Sequence, residues 1–291
     1  MDATAVIGTS LNATARVAPA LAGRLALELW RRPGRAAAVR PEERSVHEAA
    51  TRDTVGRVAV YAWGDGARPV LLVHGWGARA SRFADLVTAL LDAGLSPVAY
   101  DAWGHGATPG PVRTIPEHRV VIDELERRHG PFTGVVAHSF GVPVALYAVR
   151  HGLAADRVVA LSGMGDFGYL VDTFCSRLGL RPPLDRELRR AIERAYFDGD
   201  TGIWERFSAR PMPGREVLVF HDAGDRVVDR GQADLLVAAL TDGVHLVETV
   251  GLGHGRILRD PEVVAAAVAF DTGAGPAGQR GAVGFVGGRR R

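Results

Sequence analysis

The chain contains a single cysteine, Cys175, among 291 residues. That excludes an intramolecular disulfide framework and any multi-cysteine zinc or iron–sulfur centre, and it fits a reducing compartment. Lysine is missing altogether, so all 35 basic side chains are arginine, set against 33 acids. The net charge of +2 is too small for the electrostatic footprint of a nucleic-acid binder. Arg280, Arg289, Arg290 and Arg291 crowd into 271–291 against Asp271 alone, which leaves the rest of the chain close to neutral and without a basic stripe. Apolar runs are strand-length, far short of the roughly 18 residues a membrane span requires. A secretory leader is not expected either, because Asp2 stands near the start and Arg16 interrupts the first apolar stretch. Together these absences predict a cytoplasmic protein.

What remains is an ordinary globular balance, 47% apolar and 23% charged. The length suits one α/β domain with additions. Residues 1–44 are alanine-rich, and Ala18, Leu21, Ala22, Leu25 and Leu29 recur at helical spacing behind Pro19. They read as a helical arm packed on the main domain. A membrane-surface helix edged by arginines is the alternative, disfavoured because alanine gives lipid little apolar area.

From residue 45 strands become legible. Ser45–Ala50 and Arg57–Trp63 predict an antiparallel pair, followed by short apolar runs at Val70–Val73, Pro97–Tyr100, Gly134–Ala137, Arg157–Leu161, Val217–Phe220 and His245–Val250. Helical patterns over Arg79–Ala93, Pro116–His129, Phe140–His151, Gly231–Thr241 and Pro261–Phe270 separate most of them. Such alternation predicts a mostly parallel sheet covered by helices on both faces, with ligands bound beyond the carboxyl ends of the strands. The domain is expected over 45–270. An interval without strands, about 162–216, reads as a small helical cap inserted before the late strands. Residues 271–291 read as a disordered Gly/Arg-rich tail.

Chemistry concentrates at four loops. In Ala137-His138-Ser139-Phe140-Gly141 a strand runs into a serine and a helix follows, the layout of a nucleophile elbow. The positions two before and two after the serine must be small; Ala137 departs from the usual glycine there. Val73-His74-Gly75-Trp76-Gly77 ends another strand, and the N–H groups of Trp76 and Phe140 are the expected pair of oxyanion donors. The Trp76 indole is also expected to line a pocket, with His74 shaping the loop. A serine needs a base, and the base an orienting carboxylate. Among ten histidines, His254 stands in the loop after the last strand, whereas His245 lies at that strand's far end and His118, His129 and His151 fall on helices, as surface residues. For the acid, Asp225 is placed ahead of Asp222, which is expected to brace the turn, although either carboxylate could reach a histidine after a small loop shift.

The order Ser139, Asp225, His254, with His74-Gly75-Trp76-Gly77, Gly224-Asp225 and Gly253-His254, resembles the α/β-hydrolase superfamily over about residues 45–270, in its serine-nucleophile, esterase- and lipase-like branch. Also similar is Asp101-Ala102-Trp103-Gly104-His105-Gly106, a segment the resemblance makes structural. The resemblance implies a hydrolase of carboxylic esters or thioesters that works through an acyl-Ser139 and needs no metal or cofactor, its partner a small ester-type molecule. Perhydrolysis, acyl transfer or carbon–carbon hydrolysis on the same site is a further implication. A non-catalytic ligand-binding protein of the same fold is the reading from another class. Phe167, Tyr169, Phe174 and Trp204, with Trp76, are expected to form an apolar substrate lining. Cys175 reads as a buried small hydrophobe.

Overall fold

The computed structural model describes residues 3–32, 34, 36–273 and 283–286. It divides into two units, Gly34–Gly165 with Ala209–Arg291, and Met1–Pro33 with Asp166–Ser208.

Among the described residues the larger unit is built on a sheet of nine strands, β1 (Thr51–Val55), β2 (Val58–Ala62), β3 (Pro69–Val73), β4 (Ser96–Tyr100), β5 (Gly134–His138), β6 (Arg157–Leu161), β7 (Glu216–Asp222), β8 (Val244–Thr249) and β9 (Val283–Val286). Their order is β1-β2-β4-β3-β5-β6-β7-β8-β9. Only the pairs β1–β2 and β2–β4 are antiparallel; the rest run parallel. Every residue of β3, β4 and β5 is buried, as continuous apolar runs covered on both faces should be. Each fully buried valine or leucine there contributes about 1.5–3 kcal/mol. Ala84–Asp92 packs with Pro261–Asp271, and Ile115–His129 with Gly141–Arg150, which supplies the helical layers. At the edge, β1 exposes Thr51, Arg52, Asp53 and Thr54, a polar run that discourages pairing with another sheet.

Three expectations are corrected. Ser45–Ala50 is not a strand: Arg44–Glu48 is helical, and the hairpin runs Thr51–Ala62 with Gly56 in the left-handed region at its turn. Arg44 and Glu48 favour helix, and the segment lacks the period-two alternation of a strand. His118 is buried, not on the surface, because it faces inward from its helix and shares a 2.9 Å hydrogen bond with the Tyr100 hydroxyl. In the tail expected as disordered, Asp271 closes a helix and Val283–Val286 add a parallel strand beside β8; 274–282 and 287–291 lie outside the described residues.

The smaller unit joins Ala3–Val17 and Pro19–Trp30 to helices Tyr169–Leu178, Leu184–Tyr196 and Ile203–Arg206, which lie in the chain between β6 and β7. Pro19–Trp30 buries its small residues Ala22, Gly23 and Ala26 with Leu27. A Cβ on Gly23 would come 2.7 Å from the Glu187 carbonyl oxygen, so glycine is what allows this close helix approach. The consequence reverses the stripe read from spacing, for Leu21 and Leu25 stand 49% and 44% exposed. Close packing of helix backbones has selected the small face over the bulky one. No helix among the described residues is long and apolar enough to cross a membrane.

Asp271 carries a testable consequence. It is buried, neither carboxylate oxygen has a hydrogen-bond partner, and burial pushes its carboxyl up to about 7 while Arg157 opposes this. Between the ordinary aspartate range near 4 and that value, the folded chain holds a proton the unfolded chain has lost. Stability contributed below about pH 4 is therefore lost as pH rises through 7. Asp271→Asn should flatten the fall in unfolding free energy between pH 5 and 8, measured by urea titration; an unchanged slope would show that another group sets it.

Candidate active site

Ser139 occupies the turn between β5 and helix Gly141–Arg150, with φ at 55°. A non-glycine residue there costs about 1–3 kcal/mol, and such strain persists only where its surroundings hold it. Here the Ser139 N–H donates to the Leu161 carbonyl at 2.9 Å, and the Val142 N–H donates to the Ser139 carbonyl at 3.0 Å. A Cβ on Gly141 would lie 2.1 Å from the Val73 carbonyl oxygen, so this position of the motif has to be glycine. Ala137 is fully buried and accommodated. The loop after β3 presses equally close, for a Cβ on Gly75 would stand 2.7 Å from the Ser139 Cβ.

Three residues from distant parts of the chain meet at this turn. The Ser139 Oγ lies 3.1 Å from His254 Nε2, and His254 Nδ1 lies 2.8 Å from Asp225 Oδ2. A carboxylate accepts only, so Nδ1 carries the proton and Nε2 presents its lone pair to the serine hydroxyl. Asp225 also accepts from the N–H groups of Val227 and Val228, at 2.8 and 3.1 Å. Burial alone would raise its carboxyl; the hydrogen bond and charge of His254, with those two N–H groups, bring it down to about 2. Asp222 is elsewhere engaged. It accepts from Gly224 N–H, the Thr249 hydroxyl and Leu252 N–H at 2.8–2.9 Å, which ties the acid loop to the loop carrying His254. Burial opposes ionisation of Asp222 and these donors outweigh it, so its carboxyl sits below the usual range.

The remaining expected residues divide by unit. The Trp76 ring meets Phe140 edge-on, centroids 5.8 Å apart, and His105 at 5.7 Å. Ala102 N–H donates to His74 Nε2 at 3.0 Å, so His74 Nδ1 bears the proton and donates to the Gly75 carbonyl at 2.8 Å. This neutral imidazole, its pKa lowered by burial, braces the Gly75–Trp76 turn. Asp101 is fully buried and accepts from the N–H groups of Ala80 and Ala107 and from the Tyr61 hydroxyl. His105 Nδ1 donates to the Trp103 carbonyl at 2.8 Å. Both fix loops. Phe167, Tyr169, Phe174 and Trp204 belong to the smaller unit. There Phe167 packs against Trp204 and Phe207, with centroids 5.8 and 5.3 Å away, and Trp204 Nε1 donates to Glu193. Cys175 is buried, and burial pushes its thiol up to about 11, as expected of an inert small hydrophobe. Among the described residues no group of three or more His, Cys, Asp or Glu side chains could hold a metal ion.

Sequence reasoning passed over His138, whose Nε2 lies 2.8 Å from the His254 carbonyl oxygen. Its place immediately before the serine was the available signal, but spacing gives no hint of a bond spanning 116 residues.

A hydroxyl paired with an imidazole whose far nitrogen is held by a carboxylate is an arrangement suited to nucleophilic attack on a carbonyl. Known proteins agree with the architecture. The chain matches the model of the alpha/beta hydrolase family over residues 70–267. It is 34% identical over 175 residues to the non-heme chloroperoxidase CPO-A1 of Kitasatospora aureofaciens, a match covering 57% of this chain and 61% of that protein. Among solved structures, mouse alpha/beta hydrolase domain-containing protein 10 superposes with a TM-score of 0.59 at 14% identity, over 77% of this chain and 97% of that one. The monoacylglycerol lipase of Paleococcus ferrophilus does so at 0.56 and 22% identity, over 74% and 98%. At these identities the structural likeness speaks for the fold, and the family model for descent: this chain belongs to the alpha/beta hydrolase family.

Proposed function

We propose that this hydrolase cleaves a carboxylic ester or thioester bearing a hydrophobic moiety, through an acyl-Ser139 intermediate. The observation that carries the reading is the unbroken series from Ser139 Oγ to His254 Nε2, at 3.1 Å, and from His254 Nδ1 to Asp225, at 2.8 Å. His254 takes the Ser139 proton as the hydroxyl attacks the carbonyl carbon, and then delivers it to the departing alcohol or thiol. Asp225 holds the imidazole in the tautomer this requires. The N–H groups of Trp76 and Phe140 stabilise the oxyanion, and water activated by His254 releases the acid. The apposed rings of Trp76 and Phe140 favour an apolar group beside the reacting carbonyl.

Similarity to a non-heme chloroperoxidase supports a second reading on the same residues. Hydrogen peroxide in place of water would attack the acyl-serine, giving a peracid and free Ser139. Intact-mass analysis after treatment with a fluorophosphonate probe tests the shared first step. Wild type should gain one adduct, mapped to Ser139, and Ser139→Ala none; an unlabelled, folded wild type would turn the reading toward a ligand-binding protein. Esters of graded chain length, with and without peroxide, then separate the two acyl acceptors.

A further inference from the structure

We infer that His138 is a positioning residue for the base, holding the backbone of His254 in register with the nucleophile strand through a hydrogen bond from its Nε2–H. This rests on the hydrolase reading above and adds to it a residue outside the reacting series.

The loop that carries His254 is poor in intrinsic rigidity. Gly251 and Gly253 sit in the left-handed region, with φ at 85° and 63°, and Gly255 follows within the four-residue helix Gly253–Arg256. Glycine raises the conformational freedom of such a segment, so its geometry depends on bonds made from outside. Asp222 anchors the loop ahead of the histidine, by accepting from Leu252 N–H at 2.8 Å. At the histidine itself the anchor is His138, the last residue of β5 and the direct neighbour of Ser139. A carbonyl oxygen only accepts, so the 2.8 Å contact requires the proton on His138 Nε2. Nucleophile and base backbone are thereby tied to one rigid strand end.

The state of His138 fits that task. It is buried, its ring centroid lies 4.7 Å from that of His254, and a charge there would oppose the imidazolium that forms on His254 during turnover. Burial, reinforced by His254, lowers the His138 pKa to about 3, so the ring is a neutral donor throughout the working range. Its Nδ1 is buried without a hydrogen-bond partner. An unsatisfied buried nitrogen costs free energy, and a packing residue without polar atoms would avoid that cost. What the histidine supplies, and a phenylalanine would not, is the donor to the His254 carbonyl.

The test compares the full-length wild type with His138→Phe, which keeps the ring but not the donor, and His138→Gln, whose amide places an N–H near the same point. The readouts are fluorophosphonate labelling rate and ester kcat and KM. His138→Phe should lower kcat and labelling rate about 10- to 100-fold with KM within about twofold, as a displaced base would, and His138→Gln should recover most of the loss. Equal rates for His138→Phe and wild type, or a glutamine variant as slow as the phenylalanine one, would overturn the positioning role. If His138→Phe does not fold, nitrogen NMR of the wild-type histidines decides: His138 must carry its proton on Nε2, and a proton on Nδ1 overturns the inference. Failure of the hydrolase reading is seen separately, as a wild type that takes no probe at all.

Discussion

His254→Ala should reduce ester turnover on the order of 10⁶-fold, with Ser139→Ala losing as much and the double variant no more than either alone. On the proposed reading, the serine and the imidazole form one device. Without a base 3.1 Å from its hydroxyl, Ser139 is an ordinary alcohol; without the hydroxyl, His254 has no proton to move. Residual activity above the uncatalysed rate should persist, supplied by the oxyanion donors and by binding. Neither substitution should disturb the fold, because His254 is partly exposed and Ser139→Ala deletes one oxygen from a turn whose backbone bonds remain. Single-turnover rates and urea midpoints for the three variants make the check. Multiplicative losses, or a His254→Ala enzyme within tenfold of wild type, would mean that another group takes the proton.

The second large effect separates two neighbouring carboxylates. Asp225→Asn should lower kcat about 10⁴-fold, since an amide can donate to Nδ1 and so favours the tautomer with its proton on Nε2, facing the serine. Asp222→Asn should act chiefly on stability. One of its oxygens accepts from both the Thr249 hydroxyl and Leu252 N–H, and placing an NH₂ there leaves buried donors facing each other at about 1–3 kcal/mol. Its kcat should fall far less. The acid limb of stability should also distinguish wild type from Asp225→Asn. With its carboxyl held at about 2, Asp225 contributes stability fully present above the ordinary aspartate range near 4 and lost as pH falls through 2. Wild-type and Asp225→Asn unfolding curves should therefore converge below about pH 2, measured by denaturant titration. Comparable kinetic losses from both substitutions would show that the two acids share the task.

Much of this site was legible in order along the chain. Apolar runs of strand length, separated by helical patterns, identified the buried strands to within a residue or two, because burial on both faces leaves a local mark in the sequence. The elbow was readable for a related reason: a turn that brings β5 against its following helix, with Gly141 2.1 Å from a carbonyl by its absent Cβ, admits few residue types. Ser139, Asp225 and His254 each stood at the end of a predicted strand, and strand ends of a parallel sheet converge on one edge.

Other features followed no local pattern. Leu21 and Leu25 recur at helical spacing, and spacing cannot tell which side of a helix another helix will cover; the close approach permitted by Gly23 chose the small residues Ala22 and Ala26. His118 looks like a surface histidine until Tyr100 is brought to 2.9 Å from it. The bond from His138 to His254 joins residues 116 apart and involves a backbone carbonyl, which has no letter in the sequence. The sequence by itself determined which side chains are candidates for the chemistry and that the chain would fold into a mostly parallel sheet with helices over it, since those depend on residue type and short-range periodicity. Tertiary structure decided between the two aspartates that could meet the histidine, which face of Pro19–Trp30 is buried and that His138 reaches the His254 carbonyl. These are outcomes of packing and long-range hydrogen bonding, whose free energies depend on neighbours that the linear order does not specify.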